Sequence, residues 1–339
     1  MPHGANDQVT LLPRRGAPAP GPLALATALL AGCGGAQSAL NPQGPVAASL
    51  AQTWWILFAG SAVILSLVVA LALYAVFRAP DRRGHVRPGT LIVGGGVVFP
   101  VVVLSALLLY GFHVSGTTRP PGAEAALRVE VVGHQWWWEI RYEGEGAVTA
   151  NEIHIPVGRT VEMRVTSADV IHSFWVPSLA GKIDMMPGST NVQWLRADRP
   201  GVFRGQCAEF CGAQHARMAL LVIAEPEADF ERWRAHQRRD AVAPATAERT
   251  QGFAAFAKLG CPECHTVRGL APGGRVGPDL THVARRYTLA GATLGNNRPT
   301  LAAWVADAPA FKPGTRMPSF RHVDAKTRAS LVAFLEGLE

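Results

Sequence analysis

The chain has 339 residues, 48% of them hydrophobic and 17% charged, with a formal net charge of +7. That length has room for two or three domains. The positive balance does not call for a nucleic-acid partner: part of it lies near the N-terminus and in one short loop, and the basic residues form no long stripe interleaved with stacking aromatics.

In chain order, the first element is a targeting segment, expected over 1–32. Arg14 and Arg15 precede the apolar stretch LALATALLAGC, which ends in small residues before Cys33. Leu30, Ala31, Gly32 and Cys33 resemble a bacterial lipobox, in which the cysteine is lipidated and becomes the first mature residue. An ordinary signal anchor with an incidental cysteine is the alternative. An extracytoplasmic segment, 33–52, follows.

Two runs, 56–77 and 89–112, carry no charge. At 1.5 Å per residue each reaches roughly 30–36 Å, enough to cross a bilayer. Transmembrane helices are therefore expected over 53–78 and 89–113. The loop 79–88 between them holds Arg82, Arg83 and Arg87, with Arg78 just before it, against one Asp81. The positive-inside rule makes it cytoplasmic and places everything after the second span outside the cytoplasm, on the periplasmic side of a bacterial inner membrane.

Residues 125–226 read as short strands. LRVEVVGHQWWWEIRY, NEIHIPVGRTVEMRVTS, NVQWLRAD and MALLVIAEP alternate apolar with polar positions and are separated by Gly, Pro and Asp turns. A Greek-key β-sandwich is expected. Residues 227–249 form a linker, charged and helix-competent at first and then the tether AVAPATAE. From 250 to 339 the pattern turns helical, in a domain small enough to need a staple or a cofactor.

The small helical domain contains CPECH, 261–265. Two thiols three apart can add to the two vinyl groups of a haem, with the next histidine beneath the iron. A thioredoxin-like pair would want a βαβ context, and zinc a second ligand pair; neither is found in this domain. Cys261 and Cys264 are thus the expected haem c attachment and His265 the proximal ligand. Met317 is the expected sixth ligand, with His282 and His322 competing. CPECH, GPDL (277–280) and RMP (316–318) resemble class I cytochromes c.

A second cluster, CAEFCGAQHARM at 207–218, places two cysteines, a histidine and a methionine within twelve positions. Zinc, a disulfide, one copper and a copper pair are the candidates. Zinc accepts two cysteines and two histidines but gains nothing from the methionine. A thioether suits copper as a weak ligand, and a mononuclear blue-copper site needs only one cysteine. Two cysteines let two sulfurs bridge two coppers, which then calls for a histidine from another strand. His172 in DVIHSFWVP is the candidate; His134 and His154 are the alternatives, more in keeping with structural or surface positions.

HQWWWE (134–139), DVIHSFWVP (169–177) and CAEFCGAQHARM resemble, in that order along the chain, subunit II of haem–copper cytochrome c oxidase. With the fused haem domain, the chain is similar to the subunit II of a caa(3)-type oxidase. The resemblance implies a two-helix transmembrane hairpin, a cupredoxin-like β-sandwich with a dinuclear CuA centre, and an all-α cytochrome c domain. By it, Cys207 and Cys211 bridge the coppers, His172 and His215 bind one each, and Met218 and the Glu209 carbonyl are weak ligands. The Glu209 side chain would share a Mg²⁺ with subunit I, and Trp136 would be the aromatic through which electrons enter. Trp137 and Trp138 are readable as core packing alone.

The resemblance further implies the partners: oxidase subunit I with its haem a and haem a3–CuB site, subunit III, and an upstream cytochrome c or bc1 complex. Oxygen would be reduced in subunit I, with proton translocation, and not in this chain. In one place the sequence departs from the family. Many members carry a glutamate near the start of the second span, and alignment on Pro100 puts Val93 there. A stand-alone electron carrier and a copper-assembly or storage factor are the rivals. The paired spans count against the first; the haem motif and the copper ligand set count against the second.

Overall fold

The computed structural model describes residues 35–79, 87–117, 127–144 and 146–339. Cys33 and the expected targeting segment lie outside the described residues, as does most of the loop between the two apolar helices.

The first helix, α1, runs Pro45–Phe77. It starts ahead of Ile56 because Pro45 is favourable in a first helical turn and the Ala-rich stretch behind it propagates well. At 1.5 Å per residue it is about 50 Å long, more than a hydrocarbon core of ~30 Å requires. Its first turns pack on the β-domain: Ala47 and Ala51 are buried, and the Ala47 amide donates to the Leu179 carbonyl at 3.2 Å. The second helix begins with Pro88–Thr90, passes through a π-helical stretch, Leu91–Val98, and continues as α2, Phe99–Thr117. Both are long and apolar enough to cross a membrane, with mean hydropathies of 2.7 and 2.5. The Thr53 and Tyr110 hydroxyls, 3.5 Å apart, join them.

The next domain is a sandwich of two five-stranded sheets. One has the order β3-β2-β1-β5-β8, from Val148–Ala150, Trp137–Tyr142, Leu127–His134, Val161–Ser167 and Asn191–Leu195. The other has the order β4-β10-β9-β6-β7, from Glu152–Pro156, Ala219–Glu225, Gly201–Cys207, His172–Trp175 and Ile183–Met185. Alternation selects the inner face: in β1, Leu127, Val129 and Val131 are buried while Arg128 is exposed. These side chains meet Trp138, Ile140 and Met163 of their own sheet and Ile153, Phe174 and Val222 of the other, all fully buried. The two parallel pairings, β1 with β5 and β10 with β4, are crossover connections of a Greek key. A short helix, α3 (Glu227–Gln237), lies beneath, with Phe230 in the sandwich core and Trp233 stacked on His154 at 4.0 Å.

The C-terminal domain is built on α4 (Ala247–Lys258), α5 (Arg298–Ala306), α6 (Ala308–Phe311) and α7 (Ala325–Glu336). Thr246, Asn297 and Asp324 cap α4, α5 and α7 with their side-chain oxygens. Helices α4 and α7 cross with Phe256 against Phe334. The remaining core is Val283, Leu301, Val305, Leu331 and Leu335.

Candidate metal centre and cofactor cavity

The thiols of Cys207 and Cys211 face each other at 3.8 Å, at the end of β9 and in the loop behind it. That is well beyond the ~2.05 Å of a disulfide. Each sulfur has its own imidazole: His172 Nδ1 is 3.8 Å from Cys207, and His215 Nδ1 is 3.6 Å from Cys211. Met218 Sδ stands 3.8 Å from the Cys211 sulfur, and the Glu209 carbonyl oxygen 3.2 Å from the Cys207 sulfur. Six donors from β6, the end of β9 and one loop therefore converge, and His172, Cys207, Cys211 and Met218 are buried.

The surroundings orient these donors. His172 Nε2 donates to Asp169 Oδ1 at 2.8 Å, which leaves Nδ1 free to face the sulfur. Asp169 is itself held by the backbone N–H groups of Gln135 and Val170, both at 2.7 Å. Burial raises the Asp169 pKa, but the bond to His172 and these two amides outweigh it, so its carboxyl titrates below the usual range. Burial pushes His172 down; the bonds to Asp169 and Cys207 more than reverse that, and the net shift is upward. The hydrogen bond between the two sulfurs pulls Cys207 down against the penalty of burial, while Cys211 moves up for the same shared proton. Gly133 makes room for the ring: a Cβ there would lie 2.7 Å from His172 Cδ2.

The other expected histidines stand elsewhere. His134 stacks on Trp137 at 4.4 Å and faces Glu139; His154 pairs with Glu225 at 3.0 Å. Trp138 is fully buried in the sandwich core. The Glu209 carboxylate lies 3.6 Å from the Lys182 ammonium.

A cavity of about 320 Å³ lies in the C-terminal domain where it meets the sandwich. Cys261, Cys264, His265 and Met317 line it, while His282 and His322 do not. The two ring nitrogens of His282 already face the Glu339 and Arg239 carbonyls. His265 Nδ1 donates to the Pro278 carbonyl at 2.8 Å, leaving Nε2 as the free nitrogen, and burial lowers its pKa so that the ring stays neutral. Gly277 gives this ring its space, since a Cβ would come within 2.5 Å of Cε1. The GPDL stretch thus supplies both clearance and a carbonyl.

Trp136 connects the two sites. Its indole N–H donates to the Cys211 carbonyl at 3.0 Å, and the residue also lines the cavity. Residues that pattern reading passed over are Arg286, Lys312 and Glu152. Arg286 lines the cavity, and its Nε is buried with no hydrogen-bond partner among the described residues. The only sequence trace of it is the pair of arginines in ARRY.

The family model described as "Cytochrome C oxidase subunit II, periplasmic domain" matches residues 146–225, and the one described as "Cytochrome c" matches residues 250–339. The chain is 34% identical to cytochrome c oxidase subunit 2 of Alkalihalophilus pseudofirmus, across 94% of this chain and 96% of that protein. It is 29% identical to cytochrome c oxidase subunit 2 of Bacillus subtilis, again across 94% and 96%. A crystal structure of the periplasmic domain of subunit II of cytochrome oxidase of Bradyrhizobium japonicum aligns at a TM-score of 0.33 with 31% identity, covering 34% of this chain and 95% of that one.

Proposed function

The chain belongs to the cytochrome c oxidase subunit II family, carrying a fused cytochrome c domain, and from that premise we propose that it conducts electrons from an external cytochrome donor, through its own haem c and a CuA centre, to subunit I of a terminal oxidase. The observation that carries the proposal is Trp136, one indole that meets both the thiol loop and the haem cavity.

The donor chemistry fits a copper pair. Two thiols at bridging separation, one imidazole for each, a thioether and a carbonyl are the soft and intermediate donors copper takes. Zinc would be content with the first four and would leave Met218 unused. The cavity fits a haem: two thiols for attachment, a neutral imidazole, a thioether on the lining, and Arg286, with its buried and unpartnered Nε, as a cation for an acidic propionate. Bound there, the two groups would supply one-electron redox chemistry. In this reading Cys261 and Cys264 would hold the haem covalently, and His265 and Met317 would bind its iron. Cys207, Cys211, His172 and His215, with Met218 and the Glu209 carbonyl, would hold the copper pair. Asp169 keeps His172 in the tautomer whose Nδ1 faces inward, and burial keeps water from the sulfurs.

We place the finer assignments in the same proposal. The Glu209 carboxylate, on the outer side of the loop, would share a Mg²⁺ with subunit I. Oxygen reduction and proton translocation would belong to subunit I, with subunit III alongside and a cytochrome c or bc1 complex upstream. Cys33 would carry the lipid of a processed N-terminus, which intact mass of the membrane form tests: an unprocessed Met1 terminus overturns it.

The central experiment uses the purified full-length chain with its metals. Reducing the haem with a small donor should bleach the near-infrared absorption of a copper pair in step with the haem. A chain that holds zinc, or whose copper stays oxidised beside a fully reduced haem, overturns the reading.

A further inference from the structure

Where the haem domain meets the sandwich, each domain buries one charged side chain in the other. Lys312, just after α6, is 3% exposed. Its ammonium donates to the carbonyls of Trp136 at 2.7 Å, Arg217 at 3.0 Å and Ala290 at 3.2 Å. An ammonium has three donors, and all three are satisfied. The first acceptor belongs to the turn between β1 and β2, the second to the loop that carries His215 and Met218, and the third to the haem domain itself.

Glu152, at the start of β4 and 2% exposed, points the other way. Its carboxylate accepts from the amides of Tyr287 at 3.0 Å and Thr288 at 2.8 Å and from the Thr288 hydroxyl at 2.8 Å. These residues precede Ala290 in one haem-domain loop that lines the cavity. Between the two charges the Ala219 amide donates to the Gly291 carbonyl at 3.1 Å, and Gln214 donates to the Pro313 carbonyl at 2.8 Å.

A buried charge is costly unless its hydrogen bonds are complete. A haem domain that merely swung on its tether would gain nothing from two such groups, one in each direction. We propose that Lys312 and Glu152 are positioning residues: a reciprocal latch that holds the haem domain in one pose over Trp136, so that transfer inside this chain does not wait for the domain to diffuse. The latch rests on the two-site reading above. The electron lost by the haem is the electron gained by the copper centre, and the latch residues exchange no atoms. Holding donor and acceptor in one geometry is what such a device contributes.

The test compares the full-length, cofactor-loaded chain with Lys312→Met and, from the other domain, Glu152→Gln. Hydrogen exchange is followed at the amides of Ala219, Tyr287 and Thr288, with Ile140 and Phe334 as core references. Haem-to-copper transfer after flash reduction is followed as solvent viscosity is raised. In the wild type the interdomain amides should be protected and the rate independent of viscosity. In either variant protection at those amides should fall about tenfold with the references unchanged, and transfer should slow and become viscosity-dependent. Unchanged protection and viscosity-independent transfer in both variants overturn the latch, as does viscosity dependence in the wild type. Should wild-type haem and copper exchange no electron at all, the electron-transfer reading fails, while the exchange data still decide whether the latch exists.

Discussion

The indole N–H of Trp136 donates to the carbonyl oxygen of Cys211 at 3.0 Å, and the Gln135 side-chain amide reaches the same oxygen at 2.8 Å. The backbone of Cys211 is thus held by two residues that both line the cavity. No other side chain among the described residues hydrogen-bonds the thiol loop by its own ring while lining that cavity. This contact gives the first prediction.

Trp136→Phe keeps an aromatic ring at the junction and removes the N–H. The loss of one partly buried hydrogen bond should cost about 1 kcal/mol of stability, measured by denaturant unfolding. Both cofactors should still load, and flash-initiated haem-to-copper transfer should slow. A transfer rate equal to wild type would show that the indole is packing only.

Cys207→Ser or Cys211→Ser should remove the two-copper hyperfine pattern while the haem remains reducible by an added donor. Each sulfur faces both the other sulfur and an imidazole, so losing either breaks the shared site. One cysteine with Met218 and a histidine still resembles a mononuclear copper set, so a single copper is an acceptable residue of the site. Copper analysis and electron resonance decide; a serine variant that retains the paired signal and normal oxygen consumption refutes the assignment.

Gly277→Ala should leave the haem covalently attached and disturb its proximal ligand. The added methyl would meet His265 Cε1 at 2.5 Å, so the ring must move, while Cys261 and Cys264 are untouched. The optical and magnetic spectra of the ferric haem should report altered axial ligation. By comparison, Met317→Ala should abolish the methionine-to-iron charge-transfer band and keep the attachment.

Lys312 sets a pH dependence. Burial, with Arg217 nearby and against the pull of Cys211, brings its ammonium down from the ordinary 10.5 to about 8. Between these values the unfolded chain binds more protons than the folded one, so stability rises with pH. The cost of holding the charge, on the order of 3 kcal/mol, is present in full below pH ~8 and fades as pH approaches ~10.5. Unfolding midpoints across that window should therefore climb for the wild type relative to Lys312→Met. A variant with the same slope as wild type would show that Lys312 is not the group responsible.

Much of this protein is legible in one dimension. Two long uncharged runs can only be satisfied as helices away from water, because every backbone polar group must find its partner within the segment. The CPECH thiol pair and most of the donors that converge at the second cluster are legible for a related reason: donors to one small centre come most readily from one loop, as Cys207, Cys211, His215 and Met218 do. The alternation in β1 and β5 likewise announces a half-buried strand.

What only the tertiary structure decided is what joins these parts. His172 reaches the sulfur of a residue 35 positions away, and Gly133 is needed solely because that ring must pass it. Lys312 in FKPG reads as a solvated lysine and Glu152 in NEIHIP as a polar strand residue, yet both are buried. Across the domain boundary, the partners of Lys312 lie 176 and 95 positions away and the nearer partner of Glu152 135, separations over which no period of 2 or 3.6 residues carries information. A local pattern records which side of its own element a residue faces. Which domain arrives on that side, and whether its carbonyls or amides meet the charge, is settled only when the two surfaces close on each other.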